Sequence, residues 1–263
     1  MNAVFTAGDE VVRVSTPNAP ATALHDLIDV LSARGVPTPV LVRPTPYVDD
    51  DMVVTSWQRL RDTGDPIDWA MVGAAVRRLH HCAPADVPAT FPLASPLDLP
   101  WWDFERQLRA SVPIDDAARA GITAAIERSS AWLQPATWAA HNVDAVVCHG
   151  DMHPGNVRST ADGPVIVDFD LMGLAPAAWD HAPLMTWTQR WGGAEGVYEA
   201  FADGYGASLH GDPAAEAFSE LRLVAATLLR GVAARADAHA QREFEQRLRY
   251  WRGEPDAPMW QAA

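Results

Sequence analysis

The sequence predicts an α+β chain in which a small antiparallel sheet with one helix fills residues 1 to about 56 and helices dominate the rest. Three observations carry this. Alternating apolar residues and turn signals crowd into the first sixty positions. Helical periodicity recurs from about position 65 to 252. Between these helices lies a polar segment, VVCHGDMHPGN, a short turn, and then the apolar run PVIVDFD.

Taken in order, Asn2–Ala7 and Glu10–Ser15 read as strands joined at Gly8-Asp9. Ala23–Arg34 carries Leu24, Leu27, Ile28 and Leu31 at helical spacing and stops at Gly35. Pro37 and Pro39 precede the run Val40-Leu41-Val42, and an aspartate-rich turn (Asp49, Asp50, Asp51) leads into Met52–Thr55. These two runs are expected to complete the sheet. Asp65-Pro66 reads as the start of a helix with Asp65 as cap. Trp69, Val72, Val76 and Leu79 form its buried stripe, and His80-His81-Cys82 ends it. Ala83–Pro100 is rich in proline and reads as a surface loop. Helices are expected over Trp101–Ala110, Ile114–Leu133, Ala177–Arg190, Ala194–Tyr205, Pro213–Arg235 and Ala238–Arg252, with a tail from Gly253.

At 263 residues the chain can bury a substantial core. No run of eighteen apolar residues occurs, and MNAVFTAGDE has neither a basic region nor an apolar stretch of the secretory kind. A cytoplasmic protein is therefore expected. Two cysteines, Cys82 and Cys148, give no disulfide framework and no zinc spacing. The net charge of −14 disfavours nucleic acid and anionic membranes as partners and favours cationic ones. The sequence says nothing about oligomeric state. All twenty basic side chains are arginines.

The chemistry is concentrated in His149-Gly150-Asp151, Asn156 and the pair Asp168 and Asp170 around Phe169. Phosphoryl transfer to a hydroxyl needs one carboxylate to orient the acceptor, and an amide oxygen with a second carboxylate to hold Mg²⁺ against the nucleotide phosphates. Asp151, Asn156 and Asp168 supply those three groups from one loop and the end of the next strand. A metal cluster built on His149, Asp151 and His153, or an ordinary polar turn, is the competing reading.

The run HGDMHPGN followed by VDFD resembles the aminoglycoside phosphotransferase family, which includes choline-type and homoserine-type small-molecule kinases. The resemblance implies a bilobal protein-kinase-like fold, with an N-lobe over residues 1–56 and a helical C-lobe over 57–263. It implies ATP or GTP and Mg²⁺ as cofactors. It also implies Asp151 as catalytic base, Asn156 and Asp168 as metal ligands, His149, His153 and Asp170 as supports of the loop, and Asp180 as a structural acceptor for it. Family members usually place a lysine on a strand of the N-lobe against the α- and β-phosphates. With no lysine present, Arg13, between Val12 and Val14, takes that place. Its partner on the following helix would be His25 or Asp26, with Asp26 the chemically sensible one. Ser56 and Trp57 fall where the lobes join and main-chain groups read the base. Members also begin with a further strand and a phosphate-covering loop, so an abbreviated N-lobe is expected here.

For the acceptor, Asp103, Glu105, Trp187, Trp191, Glu195 and Glu199 are acidic or aromatic candidates suited to an ammonium group. The function expected is transfer of a γ-phosphoryl group to a hydroxyl of a small, cationic, aminoglycoside-like acceptor. A kinase-like protein that binds nucleotide or metabolite without turnover, or a choline- or homoserine-type kinase, is the alternative.

Overall fold

A computed structural model describes residues 2–16, 20–49, 52–93 and 95–261. Asp50 and Asp51 of the aspartate-rich turn lie outside the described residues. Along the chain run β1 (Asn2–Ala7), β2 (Glu10–Ser15), α1 (Ala23–Ala33), β3 (Tyr47–Asp49), β4 (Met52–Gln58) and α2 (Trp69–His80). Then come α3 (Phe104–Ala110), α4 (Asp116–Ser129), α5 (Pro135–Ala140), β5 (Ala145–Cys148), β6 (Val157–Thr160), β7 (Gly163–Ile166) and β8 (Gly173–Pro176). The remainder is α6 (Ala178–Met185), α7 (Trp187–Trp191), α8 (Val197–Tyr205), α9 (Pro213–Ala233) and α10 (Ala238–Trp251). Among the described residues no helix is long and apolar enough to cross a membrane. The chain packs as two compact units, one of residues 1–94, 146–177 and 199–208, the other of 95–145, 178–198 and 209–263.

In the first unit the sheet is antiparallel with order β1-β2-β4-β3. Its register sets Val4 opposite Arg13 and Val11 opposite Trp57. The hairpin forms where the alternation predicts it. The run Val40–Val42 does not become a strand: Leu41 makes one bridge to Trp57, with Val42 N donating to Ser56 O and Gln58 N to Val40 O. Prolines at 37, 39 and 44 remove the donors a longer ladder would need. The fourth strand is instead Tyr47–Asp49, too short and too exposed to show alternation.

The cap of α2 is Asp68 rather than Asp65. Its carboxylate accepts from Met71 N at 3.0 Å, while Asp65 N is held by Thr63 Oγ1 before the first turn begins. Trp69, Val72, Val76 and Leu79 are buried as the periodicity requires, each such burial contributing about 1.5–3 kcal/mol. The other face of α2 touches α8 backbone to backbone. A methyl at Gly73 would stand 2.0 Å from Phe201 O, and one at Gly204 1.9 Å from Ala70 O. These two glycines set the closeness of the helices. The short strands β5–β8 and β6–β7 form two small ladders that carry the catalytic-type segment, with Val157 paired to Ile166.

In the second unit α9 is the central helix, with Leu221, Val224 and Leu228 fully buried. Trp179 sits edge-on to Trp102 and Phe218, each at 5.0 Å. The helix expected from Trp101 begins at Phe104 because Asp103 caps it, accepting from Arg106 N at 2.9 Å. The one expected over Ala177–Arg190 is two helices, α6 holding Pro183 and α7 starting after Thr186. The tail is docked: Trp260 is buried, Trp260 N donates to Arg190 O at 2.7 Å, and Arg247 donates to Gln261 O at 3.1 Å.

Candidate active site

The loop from His149 to Asn156 is tied down by its own side chains. His149 is fully buried, its Nδ1 faces Asp151 N at 3.3 Å and its Nε2 lies 3.0 Å from Val167 O. A ring that accepts at Nδ1 is the neutral tautomer with its proton on Nε2, so His149 donates to the carbonyl just before Asp168. The ring also packs edge-on against Phe169 at 5.0 Å. Gly150 takes φ +91, and a methyl there would lie 2.0 Å from Leu171 O. Any other residue would push the loop off the segment that follows Asp168. His153 Nδ1 accepts from Gly155 N at 3.0 Å, which turns its Nε2 toward Asp151 Oδ2 at 3.5 Å.

These restraints bring the expected carboxylates and amide together. Asn156 is buried, and its Nδ2 donates to Asp151 O at 2.8 Å and approaches Asp151 Oδ2 at 3.4 Å. With the nitrogen so engaged, the amide oxygen is the group left for a ligand. Asn156 O accepts from Val167 N at 2.9 Å, which sets Asn156 beside the start of the Asp168 turn. Asp168 itself has φ +65 and ψ +64, the left-handed region that a non-glycine residue seldom adopts. Burial raises the Asp168 pKa above the usual carboxylate range, as do the charges of Asp170 and Asp151; Arg13 opposes them. Asp151 keeps about a third of its side chain exposed.

Arg13 does not pair with Asp26. It grips Asp170 through both terminal nitrogens, Nη1 to Oδ1 at 2.9 Å and Nη2 to Oδ2, and lies 3.8 Å from Asp168 Oδ1. The Asp26 carboxylate accepts from Thr90 Oγ1 at 3.2 Å instead. The cause is the pleat: Arg13 shares a face of β2 with Val11, and that face meets the Phe169 turn. Asp170, expected as a support of the loop, is thus the acidic partner of the phosphate-binding candidate.

A cavity of about 460 Å³ opens on this face, within the first unit. Val4, Val11, Leu24, Ile28 and Trp57 give it apolar walls, and Arg13 with Asp168 gives it a charged end. Of the two expected base-reading positions, Trp57 lines the cavity. Ser56 points to the other face and donates to Glu10 Oε2 at 2.6 Å, because neighbours on a strand face opposite ways. Ser56 O and Gln58 N are already spent on the 40–42 segment. The chain that borders the cavity beyond the sheet is Leu60 to Asp62. Arg158 also lines it, a residue passed over in the sequence although it alternates with buried Val157 two positions after Asn156.

None of the acceptor candidates lines this cavity. Asp103 is engaged as a helix cap, and Glu105 pairs with Arg109 at 3.3 Å. Trp187 and Trp191 stack at 6.3 Å with an 18° tilt, and Arg247 lies over Trp191 at 5.1 Å. Glu195 and Glu199 are exposed, Glu195 in the second unit and Glu199 in the first. Asp180 is fully buried in α6 of the second unit.

The family model described as the phosphotransferase enzyme family matches residues 3–221. Among solved structures, the chain is similar to the GDP complex of a wild-type aminoglycoside 2'-phosphotransferase, with a TM-score of 0.69 at 14% identity, over 96% of this chain and 89% of that one. It is similar to a choline/ethanolamine kinase family protein from Mesorhizobium loti, with a TM-score of 0.66 at 20% identity, over 97% and 86%. An amicoumacin kinase in complex with AMP-PNP, Ca²⁺ and Ami gives a TM-score of 0.63 at 13% identity, over 98% and 90%. The fold shared with these proteins is the bilobal, kinase-like α+β fold. No curated protein matches by sequence.

Proposed function

Since this chain belongs to the phosphotransferase enzyme family, we propose that it transfers the γ-phosphoryl group of ATP or GTP to a hydroxyl of a small, cationic acceptor. The observation that carries the reading is Asn156, buried and held through its Nδ2 by Asp151 O, which leaves its amide oxygen as the group for a ligand. On this reading residues 1–56 serve as the N-lobe and 57–263 as the C-lobe.

Asn156 Oδ1 and the Asp168 carboxylate are hard oxygen donors, the kind Mg²⁺ takes. Burial first, and then the Asp170 charge, raises the Asp168 pKa, and a divalent cation would offset that crowding of negative charge. Asn156 and Asp168 would therefore hold Mg²⁺. Bound there, the ion would neutralise charge on the β- and γ-phosphates.

The chain's own groups do the rest. Asp151 orients the acceptor hydroxyl and takes its proton as the acceptor O–Pγ bond forms and the bond from Pγ to the β-phosphate oxygen breaks, releasing ADP or GDP. His149 and Gly150 hold the Asp151 backbone, and His153 faces its carboxylate. Arg13 stands at the charged end of the cavity, where a planar donor fork suits phosphate oxygens. The apolar walls suit a purine. A net charge of −14 favours a cationic acceptor over an anionic one. The acceptor class is tested with a panel of aminoglycosides, other hydroxylated antibiotics and choline, assayed with ATP and GTP. Asp151→Asn should lower turnover by about 10²–10⁴-fold on whichever acceptor is used and leave nucleotide affinity within about twofold. A variant that turns over like the parent removes Asp151 from this role.

A further inference from the structure

The cavity wall is apolar except at Arg13 and Asp168, at Gln58 and Asp62, and at one further cation, Arg158. Arg158 Nη1 donates to Gly155 O at 2.8 Å and to Val157 O at 3.2 Å, so the guanidinium plane is fixed by the backbone. Among the described residues no carboxylate pairs with it. The Arg158 guanidinium thus stands at the cavity wall bonded to main-chain carbonyls, with its charge not matched by a carboxylate.

Arg13 and Val11 are two residues apart on β2, so the charged end and the Val11–Trp57 end are separated by roughly 7 Å. Ser159, next to Arg158, is bonded to Thr63, Ser159 O accepting from Thr63 N at 2.9 Å. Thr63 follows directly on Leu60 to Asp62, the segment that borders the cavity where the chain leaves β4. Arg158 is thereby anchored to the Leu60–Asp62 segment by the neighbouring residue.

We infer that Arg158 is a base-binding residue of the nucleotide site: its guanidinium, held by the backbone at the cavity wall, stacks on the face of the purine. The inference rests on the nucleotide-dependent reading above and deepens it. A guanidinium over an aromatic face is attractive through the ring quadrupole and more so when both are desolvated. The planar cation does this work; a flexible ammonium would not hold the stack.

The test is calorimetric titration of the full chain with adenosine and, separately, with ADP and Mg²⁺. Arg158→Met should weaken both ligands by the same factor, roughly tenfold. Arg158→Lys, which keeps a donor for Gly155 O, should weaken adenosine several-fold as well, and it decides the matter if Arg158→Met does not fold. Weaker ADP with unchanged adenosine would make Arg158 a phosphate contact and overturn the inference. Adenosine binding unchanged in Arg158→Lys would also overturn it. A parent protein that binds neither ligand sinks the phosphotransferase reading and this inference with it; a parent that binds both, beside indifferent variants, sinks the inference alone.

Discussion

Arg13 and Asp170 are 157 positions apart and meet through two hydrogen bonds, joining the second strand of the sheet to the turn that carries Asp168. The pair ties the phosphate-binding candidate to the metal-binding candidate without any residue of α1. It also controls charge at Asp168, which Asp170 makes harder to ionise and Arg13 makes easier.

The first prediction follows from those opposite signs. Asp170→Asn removes a neighbouring negative charge, so the Asp168 pKa falls and divalent-cation binding sets in at lower pH. Arg13→Met removes the opposing positive charge, and binding sets in at higher pH. Titrating Mn²⁺ against each variant between pH 4 and pH 8 reads the two shifts. Shifts in one direction for both variants would show that Asp170 and Arg13 act on something other than Asp168 ionisation.

Asp168 should be a residue kept at a cost to the unliganded fold. Burial first, then Asp170, raises its folded pKa above the unfolded value. A carboxylate shifted that way stabilises the fold at low pH, and the advantage is lost as pH rises through the folded pKa. Its left-handed backbone adds strain that asparagine bears more easily. Asp168→Asn should therefore melt higher than the parent at pH 7 without divalent cation, while Mg²⁺ no longer raises its melting temperature. A lower melting temperature in that variant would refute the assignment.

In the second unit Asp115 caps α4, accepting from Ala118 N at 3.0 Å, and also pairs with Arg252 at 2.7 Å. The hydrogen bonds from Arg252, and then the one from Ala118, lower its pKa to about 2. A depressed carboxylate contributes stability that is present above its unfolded pKa and lost as pH falls through the folded one. Asp115→Ala should cost about 1 kcal/mol at pH 7, mostly as the lost cap, since the pair is partly exposed. Chemical denaturation at pH 7 and near pH 2 checks this, with the gap between variant and parent narrowing at the acidic end.

How much of this could be read from residues depended on the range of the interaction. The β1–β2 hairpin, the α2 stripe and the segment His149–Asp170 are specified locally, by alternation, helical period and glycine at a turn that tolerates nothing else. Their positions were legible. Arg13 was legible as a cation sharing a face of β2 with Val11, but its partner was not: Asp26 is near in sequence, whereas Asp170 reaches it only once the sheet and the Phe169 turn are packed. The strand expected at Val40–Val42 failed because prolines outweighed apolar content. Asp68 displaced Asp65 as a cap since either residue type satisfies the rule and only backbone entry decides. Arg158 was missed because one arginine in a strand looks like a solvated side chain until the cavity beside it exists.

The most direct measurement is a crystal structure with Mn²⁺ and a non-hydrolysable ATP analogue, with the cation located by its anomalous signal. The account predicts a peak bound by Asn156 Oδ1 and the Asp168 carboxylate, with Asp151 facing the terminal phosphate. A peak held by other residues, or an Asn156 oxygen turned away from the ion, would contradict it.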